Sequence, residues 1–348
     1  MTVSLCMIVK NEEHVLARCL DSLKDIVDEI VIVDTGSTDA TKEIAHRYTD
    51  KVYDFKWVDD FSKARNFAFS KCTCDYIYSA DADEYIDEQN QTAFRNLLSV
   101  LDPAIEIVQM HYYEPRISSV LNAKSELRPK LYKRLRTFRW VDPVHETVST
   151  EPLVFDSDIV ITHDPEKPHT SRDFAIFEKA YHENGVLSTN LYSMYARELY
   201  RNASEDELRR GADIFKEVIS TGTLDEKLLV KLLCVLALDA RKENNAPAML
   251  KYTSRLLAVD EPCSEACYEL GQYFYDAGDY IEASLWYYNA TEQQPALDIH
   301  AGTDLAYRAL GMTYAHLSEQ TDGQESDRYR DLAEEYEKKA DEFELPEE

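Results

Sequence analysis

The chain has 348 residues, more than one ordinary hydrophobic core accommodates, so we expect two domains. Its formal net charge of −28 opposes binding to polyanions, which excludes nucleic acid and anionic membrane surfaces as expected partners. No apolar run approaches the ~20 residues that span a bilayer, and the apolar N-terminal stretch lacks both a preceding basic region and a cleavage site, so we expect a buried strand there rather than a signal peptide.

Short β-rich runs alternate with helical patterns over residues 1 to about 165. The predicted strands are Val3–Val9, Glu29–Val33, Lys51–Asp54, Tyr76–Ser79 and Ile159–His163, and the predicted helices are Glu12–Leu23, a helix from Ser37 or Thr38 to about Tyr48, and Lys63–Ser70 with Ser62 as its cap. This alternation implies an α/β fold with a Rossmann-like, mostly parallel sheet. Ligands of such sheets bind at the carboxyl ends of the strands, where Asp34 and Asp81–Asp83 stand.

From about Thr170 the strand signal fades and the pattern becomes helical. Ten positions fit the 34-residue helix–turn–helix pattern of a tetratricopeptide repeat: Cys267, Leu270, Gly271, Phe274, Gly278, Tyr280, Ala283, Tyr287, Ala290 and Pro295. A looser copy starts at Tyr307, and Leu228–Pro262 fits a degenerate earlier copy. We therefore expect an α/β domain over residues 1–168 and an all-α stack of helix pairs over residues 169–348, with an ordinary helical bundle as the alternative.

The seven cysteines are scattered along the chain. Neither Cys72-x-Cys74 nor Cys263-x₃-Cys267 has the paired spacing of a zinc site. Reduced thiols in the cytoplasm are the expectation that fits this usage.

The strongest candidate for a functional site is the triplet Asp81-Ala82-Asp83. Aspartates two residues apart at a strand end can both point into one cleft, and their hard oxygens suit Mg²⁺ or Mn²⁺, which in turn bind phosphate. In an acidic protein such a triplet is more often a solvated loop. Here it directly follows an apolar strand, where turn residues would suffice, and this position favours the metal site.

Four segments resemble family 2 glycosyltransferases of the GT-A fold, in order and at suitable spacing: Cys6–Glu13, Ile30–Asp39, Ala64–Asn66 and Asp81–Glu84. The resemblance covers roughly the first 165 residues. It is strongest to the bacterial branch that includes the peptide S-glycosyltransferases of glycopeptide bacteriocins, which also carries helical C-terminal regions. It implies a hexosyltransferase that uses a UDP-sugar and a divalent metal ion, Mn²⁺ or Mg²⁺.

The resemblance also implies roles for individual residues at the donor site. Asp34 would accept a hydrogen bond from uracil, Val9 and Glu12 would line the base and ribose pocket, Arg65 would clamp the diphosphate or order the acidic loop, Asp81 and Ala82 would contact the nucleotide-sugar, and Asp83 would bind the metal. Two of these residues have alternative roles. Asp34 could cap the helix after Gly36, and Val9 could belong to the core.

Two later residues complete the candidate site. Trp140–Glu146 resembles the segment ending in His-Glu near the acceptor site of this branch, although the family more often has glycine at Asp142 or Pro143. Glu146 is the candidate general base, and its alternative role is a salt bridge to Arg136 or Arg139. His163 ends a strand, where the resemblance implies a metal ligand or diphosphate contact; polar surface is its alternative.

Basic residues concentrate in one stretch of this acidic chain: Arg128, Lys130, Lys133, Arg134, Arg136 and Arg139. They could neutralise a departing diphosphate, or they could guard an exposed strand edge with charge.

We therefore expect an inverting, metal-dependent transfer from a UDP-sugar to a hydroxyl or thiol of a peptide or protein acceptor, which the helical repeats would hold. The helical domain could also form the interface of a homodimer. One alternative is a sugar nucleotidyltransferase, which would normally carry a glycine-rich loop where Lys10-Asn11-Glu12 stands. The other is a repeat scaffold that no longer turns over, against which Asp34, Arg65 and the acidic triplet argue.

Overall fold

The computed structural model describes residues 1–114, 125–136, 138–148, 152–164, 170–221, 224–258 and 262–346. The chain divides into two compact units, Met1–His169 with Pro346–Glu348, and Thr170–Leu345. The first is an α/β unit and the second is all-helical. Within the described ranges, no helix combines the length and the apolar character that crossing a membrane requires.

The α/β unit is built on a mixed sheet whose eight strands lie in the order β3-β2-β1-β4-β7-β6-β10-β5 in the described residues. The strands of this sheet are β1 Val3–Val9, β2 Glu29–Asp34, β3 Val52–Asp54, β4 Tyr76–Ala80, β5 Glu84–Tyr85, β6 Ile107–Tyr113, β7 Ser125–Lys133 and β10 Val154–His163. Strands β1 to β4 pair in parallel, as do β6 and β10, whereas β7 and β5 pair antiparallel with their neighbours. The expectation of an α/β fold with a mostly parallel sheet is confirmed.

A separate two-stranded hairpin, β8 Trp140–Val141 and β9 Thr147–Val148, precedes β10. The helices of this unit are α1 Leu16–Leu23, α2 Thr41–Ala45, α3 Phe61–Phe69 and α4 Glu88–Val100. The buried strand β1 contributes to the core on both faces, which explains why the N-terminal stretch is almost continuously apolar.

Several helix starts differ from the sequence-based prediction. Helix α3 begins at Phe61 because Asp60, not Ser62, is its cap: the Asp60 carboxylate accepts from the backbone N–H of Lys63 at 3.0 Å. Ser62 instead donates to Asp60 at 2.7 Å. Helix α2 spans only Thr41–Ala45, because the residues before it form a loop that binds the loop after β1. The predictions that Ser62 caps α3 and that α2 starts at Ser37 or Thr38 were wrong.

The helical unit contains α5 Thr170–Asn184, α6 Thr189–Asn202, α7 Glu205–Thr221, α8 Glu226–Lys242, α9 Ala246–Leu257, α10 Ser264–Asp276, α11 Tyr280–Glu292, α12 Asp304–Gln320 and α13 Gln324–Asp341. Consecutive helices pack as pairs, most extensively α8 with α9, α10 with α11 and α12 with α13. These pairs coincide with the three sequence segments that fit the repeat pattern, so the helical C-terminal region is confirmed.

Helices α10 and α11 approach closely where the repeat pattern places small residues. A Cβ on Gly271 would lie 2.5 Å from the Tyr287 ring, and Gly278 adopts φ +78° in the turn between the helices. Tyr287 is fully buried, and most other aromatic side chains of this pair pack into the core around it. Tyr288 is the one aromatic side chain in α10 and α11 that is largely exposed among the described residues.

Candidate active site

Three parallel strands end side by side, and the loops that follow them form the candidate site. Val9 of β1 is paired in register with Asp34 of β2, and β4 ends at Ala80 on the other side of β1. We call this side of the sheet the carboxyl edge. Side chain–backbone hydrogen bonds join its first two loops: Ser37 Oγ accepts from the Asn11 N–H at 2.9 Å, and Asn11 Oδ1 accepts from the Thr38 N–H at 2.8 Å.

Asp34 is buried at the end of β2, where its carboxylate holds the turn that follows. Its Oδ2 accepts from the backbone N–H groups of Gly36 and Ser37, both at 3.0 Å. This is a turn contact and not a helix cap, because α2 begins only at Thr41. The carboxylate is thus fixed in orientation at the bottom of the first two loops.

Val9 and Glu12 flank the same loop. The Val9 side chain packs in the main core, and its carbonyl accepts from Thr35 through N–H and Oγ1. The backbone N–H of Glu12 donates to Thr41 Oγ1 at 2.7 Å, and the Glu12 side chain is half-buried. Only backbone atoms of Val9 therefore take part in shaping the loop.

Arg65 of α3 connects the acidic triplet to Glu146. Its guanidinium donates to Glu146 Oε1, to Ser79 Oγ at 2.8 Å and to Asp81 Oδ1 at 3.1 Å. It also lies 5.2 Å from the ring centroid of Trp140. Burial opposes the charge of Arg65, but Glu146 and Asp81 raise its pKa. Burial likewise opposes ionisation of Asp81, yet Arg65 and Lys130 hold the pKa of that carboxyl well below its ordinary value.

Glu146 reaches this position on the β8–β9 hairpin, which Asn66 holds in place. The Asn66 amide donates to the Trp140 carbonyl at 2.9 Å and accepts from the Trp140 N–H at 3.0 Å, as a neighbouring strand would. The turn of the hairpin has two non-glycine residues with positive φ, Asp142 at +71° and His145 at +47°. Asp142 thus adopts the conformation that favours the glycine of the family pattern.

The salt bridge that the sequence suggested for Glu146 forms with a different arginine. Arg65 is its partner, whereas Arg136 pairs with Glu106 at 2.7 Å. Arg139 is exposed. The two residues of the Ala64-Arg65-Asn66 motif that carry polar side chains therefore both act on the hairpin, a use that the motif alone did not indicate.

Asp83 and His163 lie together because β5 pairs antiparallel with β10, with Glu84 opposite His163. His163 Nε2 is 3.3 Å from Asp83 Oδ2, and His163 Nδ1 is 2.7 Å from Glu114 Oε1. Burial would lower the pKa of the imidazole, but the hydrogen bonds to Asp83 and Glu114 raise it to about 10. His163 is 19% exposed, so its side chain is largely buried and is not open polar surface.

Two further cations, Lys130 and Arg18, contact the loop that carries the acidic triplet. Lys130 of β7 pairs with the buried Glu84, whose Oε2 has no hydrogen-bond partner in the described structure, and burial raises the pKa of Glu84. Arg18 of α1 donates to Asp164 Oδ2 at 2.7 Å and to the Asp83 carbonyl at 3.4 Å. Arg18 therefore links the loop after β4 to the end of β10.

The basic stretch is divided between the two edges of the sheet. Strand β7 lies between β4 and β6, so it is not an exposed strand edge. Arg128, near its start, lies 3.9 Å from the Tyr112 ring centroid on the carboxyl edge, close to Lys130. Lys133 and Arg134 bind backbone carbonyls at the other end of the strand. Only the first part of the stretch is placed to act on a ligand of the carboxyl edge.

The residues at the carboxyl edge fit a divalent metal ion bound jointly with phosphate. Asp83 offers a carboxylate oxygen and His163 offers Nε2 at hydrogen-bond distance from each other, while Nδ1 faces Glu114. Two protein ligands leave most of the coordination sphere to phosphate oxygens and water, as is usual for Mg²⁺ and Mn²⁺ at nucleotide sites.

One group of three candidate ligands, Cys234, Cys263 and Glu265, lies within the described part of the helical unit. Glu265 is already used there, because its carboxylate accepts from the backbone N–H groups of Ala296, Leu297 and Asp298. A hydrogen bond with Cys263, together with burial, raises the pKa of Cys234 well above its ordinary value. A protonated thiol and a committed carboxylate do not favour metal binding.

Comparison with known proteins agrees with the class that this fold and site define, a sugar transferase of α/β architecture. The family model of Glycosyl transferase family 2 matches residues 4–182, just over half of the chain. The chain therefore belongs to glycosyl transferase family 2. The matched region extends past the α/β unit through most of α5.

Three relatives from bacteria illustrate the family. A TPR repeat-containing protein of Synechococcus elongatus is 48% identical over 158 residues, which are 43% of this chain and 36% of that protein. An uncharacterised glycosyltransferase of Rickettsia felis is 29% identical over 205 residues, covering 55% and 67%. The SPbeta prophage-derived glycosyltransferase SunS of Bacillus subtilis is 32% identical over 144 residues, covering 38% and 34%. The match thus spans about a third of the first and third relatives.

Two solved structures align with parts of this chain at low identity and low TM-score. Residues 1–349 of TarS from S. aureus align with 84% of this chain and 92% of that chain, at 13% identity and a TM-score of 0.39. Glucosyl-3-phosphoglycerate synthase from Mycobacterium tuberculosis, crystallised with Mn²⁺ and UDP-glucose, aligns with 54% of this chain and 80% of that chain, at 15% identity and a TM-score of 0.38.

Proposed function

We propose that the protein is an inverting, metal-dependent glycosyltransferase that moves a sugar from a UDP-sugar to a hydroxyl or thiol of a peptide or protein. The single observation that carries the proposal is the guanidinium of Arg65, which binds Asp81 of the acidic triplet and Glu146 of the hairpin at once. Arg65 thereby binds both the donor-side carboxylate, Asp81, and the acceptor-side carboxylate, Glu146. The pair of Asp83 and His163 belongs to the same edge of the sheet.

The donor nucleotide is assigned to the first two loops of the carboxyl edge. Asp34 has a carboxylate of fixed orientation that can accept the imide N–H of uracil, and Val9 and Glu12 border the base and ribose pocket. Asp81 and Ala82 are assigned to the ribose and the sugar, and Arg65 orders their loop by donating to Asp81. Fixed orientation of these groups before the donor arrives lowers the entropy cost of binding.

Asp83 and His163 are the residues that would hold Mn²⁺ or Mg²⁺. The metal ion, when bound, supplies positive charge to the diphosphate that leaves the sugar. Arg128 and Lys130 on the adjacent strand add positive charge on the same side, although Lys130 is committed to Glu84. The chain's own part is to hold the diphosphate and exclude water from it.

Glu146 is assigned as the general base. Its Oε1 is bound by Arg65, which orients the carboxylate, and Oε2 is the oxygen that would take the proton of the acceptor hydroxyl or thiol. As that proton leaves, the acceptor oxygen or sulfur attacks the anomeric carbon, and the bond to the diphosphate breaks on the opposite side. This in-line displacement inverts the anomeric centre.

The helical unit is assigned to the acceptor. We propose residues 1–168 as the donor domain and residues 169–348 as a tetratricopeptide-like acceptor domain. The outer face of α11 supports a contact role, since Ile281, Leu285 and Tyr288 lie one helical turn apart and are 61%, 54% and 47% exposed. Replacing all three by serine should lower transfer to the acceptor but leave UDP binding unchanged; loss of a dimer in the same variant would assign this face to a homodimer instead.

The seven free cysteines favour a cytoplasmic setting for the enzyme. The net charge of −28 opposes a nucleic-acid partner. Family membership favours sugar transfer over both a nucleotidyltransferase and an inactive scaffold.

A thermal-shift screen with UDP-, GDP- and TDP-sugars in the presence of Mn²⁺ tests the donor assignment. A ligand at 100 times its Kd stabilises the folded state by about 2.7 kcal/mol. We expect a clear rise in Tm with UDP-sugars and a smaller one with GDP-sugars, since Asp34 matches the imide of uracil. A preference for GDP-sugars would refute the assignment, and so would an equal response of an Asp34→Asn variant.

A further inference from the structure

Glu114 follows the last residue of β6, next to the end of β10. The two strands are parallel, with Thr162 paired to Tyr113, so the residues that come next on each strand, His163 and Glu114, face each other. Glu114 Oε1 lies 2.7 Å from His163 Nδ1, and the two side chains are 16% and 19% exposed. No local sequence pattern indicates this pair, because its members are 49 residues apart.

The direction of this hydrogen bond matters for the chemistry of His163. A carboxylate can only accept, so Nδ1 of His163 is the donor and carries the proton. By the same argument Nε2 donates to the Asp83 carboxylate, which lies 3.3 Å away. A metal ion would take the place of the Nε2 proton, whereas the Nδ1 proton would stay on the contact with Glu114. The Tyr112 ring, with its centroid 5.0 Å from that of the imidazole, further restricts the rotation of the His163 side chain.

We propose that Glu114 is a positioning residue of the metal site, which orients His163 so that Nε2 and the Asp83 carboxylate meet one divalent ion. This inference rests on the proposed function, since it requires Asp83 and His163 to be metal ligands. Glu114 itself does not touch the ion. Its contact with Nδ1 is compatible with metal binding, whereas the contact between Nε2 and Asp83 gives way to the ion.

The chain offers a matched control at the other end of the same strand. Glu106 directly precedes β6, is 17% exposed and is paired with Arg136, so it resembles Glu114 in burial and in having a cationic partner. It lies on the edge of the sheet away from Asp83 and His163. A general effect of removing a half-buried, paired glutamate from β6 would appear in both variants, whereas an effect on the metal site would appear only at Glu114.

The test measures Mn²⁺ affinity in the presence of saturating UDP, from the electron paramagnetic resonance signal of free Mn²⁺. We expect Glu114→Ala to weaken binding by about 10- to 100-fold, the range found for carboxylates that orient metal-bound histidines. Glu114→Gln should lose less, because its amide oxygen still accepts the Nδ1 proton. Glu106→Ala should bind Mn²⁺ as the wild type does.

A double variant shows whether Glu114 acts through His163. If it does, Glu114→Ala adds no further loss in a His163→Ala background. Wild-type affinity in Glu114→Ala, together with weakened binding in His163→Ala, would overturn this inference and leave the proposed metal site standing. No saturable Mn²⁺ binding by the wild type would overturn both. Equal losses in Glu114→Ala and Glu106→Ala would show a structural role and also overturn the inference.

Discussion

The two edges of the sheet both hold buried carboxylates, but they use them differently. On the amino edge, where β1, β2 and β4 begin, the Glu29 carboxylate binds Lys51 and Ser4 and accepts from Thr73 N–H at 2.7 Å and Thr73 Oγ1 at 2.9 Å. Burial opposes its charge, yet these contacts lower the pKa of Glu29 to about 2. On the carboxyl edge, burial raises the pKa of Glu84, and one of its oxygens has no partner in the described structure.

We infer from this difference that the amino edge contributes to stability and the carboxyl edge to ligand binding. A carboxylate with every acceptor position filled adds to the free energy of unfolding and has nothing left for a ligand. At the carboxyl edge three cations, Arg65, Lys130 and His163, are shared by five carboxylates: Asp81, Asp83, Glu84, Glu114 and Glu146. Accumulated negative charge of this kind is costly in the free protein and is relieved by a bound cation.

The largest expected effect is that of Asp83→Ala, which removes a proposed metal ligand. We expect release of UDP from UDP-sugars to fall by about 10²–10³-fold, because the charge of the leaving diphosphate loses its metal. The free energy of unfolding should hardly fall, since one negative charge leaves a crowded loop. Turnover assays and urea unfolding of the same preparation measure the two quantities. A much lower free energy of unfolding together with wild-type specific activity would contradict this prediction.

Glu29→Gln tests the amino edge and should do the opposite. Weakening the charge-assisted hydrogen bonds of the buried Glu29 carboxylate should lower the free energy of unfolding by about 1.5–3 kcal/mol, with UDP affinity unchanged. The lowered pKa of Glu29 means that its contribution is complete above the ordinary value near 4.5 and is lost as the pH falls toward about 2. The stability gap between wild type and variant should therefore be constant from pH 7 to 5 and shrink below. A gap that grows toward low pH would contradict the assignment.

Asp34→Asn tests whether a carboxylate of the carboxyl edge serves the ligand as well as its turn. The amide oxygen can still accept from Gly36 and Ser37, but the amide N–H₂ repels the uracil N–H. UDP affinity should fall by about 1.5–3 kcal/mol, roughly 10- to 150-fold, with a small change in Tm.

Asp39→Asn is the control for this experiment, because Asp39 binds the Thr41 backbone N–H in the same loop. It should change stability more than UDP selectivity. Equal losses of UDP affinity in the two variants would leave Asp34 with a turn role alone.

The smallest expected effect is that of Asp142→Gly in the hairpin that carries Glu146. Asp142 adopts φ +71°, which glycine adopts without strain, so the stability change should stay within about 1 kcal/mol and activity should persist. Asp142→Val should lower both, because a β-branched residue disfavours this conformation. Urea unfolding and turnover of the pair measure this, and equal effects of glycine and valine would show that the turn does not set the position of Glu146.

The sequence predicted most of this fold because its strands and helices alternate in a regular pattern. Strands β1, β2 and β4 follow from continuous apolar runs, Asp34 and the acidic triplet stand at the ends of β2 and β4, and Arg65 lies in a predicted helix. Strands β5 and β6 were not predicted, and neither was strand β7. It contains Pro129 and the buried Lys130, which are untypical of a central strand, and Pro129 is accommodated next to a register shift in its pairing with β6.

The contacts within the site depend on pairings that no local pattern reveals. Arg65 and Glu146 are 81 residues apart, and the sequence pointed instead to arginines close to Glu146 along the chain. Asn66, Arg18 and Glu114 bind partners that only the order of the strands brings near. Local spacing identifies which side chains carry chemistry, whereas the sheet topology decides which of them meet.

The central claim is that the carboxyl edge binds a UDP-sugar together with a divalent metal ion and cleaves it. Release of UDP from a panel of UDP-hexoses, with and without excess EDTA and with Mn²⁺ added back, tests this claim most directly. We predict that EDTA abolishes UDP release, that Mn²⁺ restores it in the wild type, and that Mn²⁺ does not restore it in Asp83→Ala. Turnover that is unchanged in excess EDTA would contradict the claim.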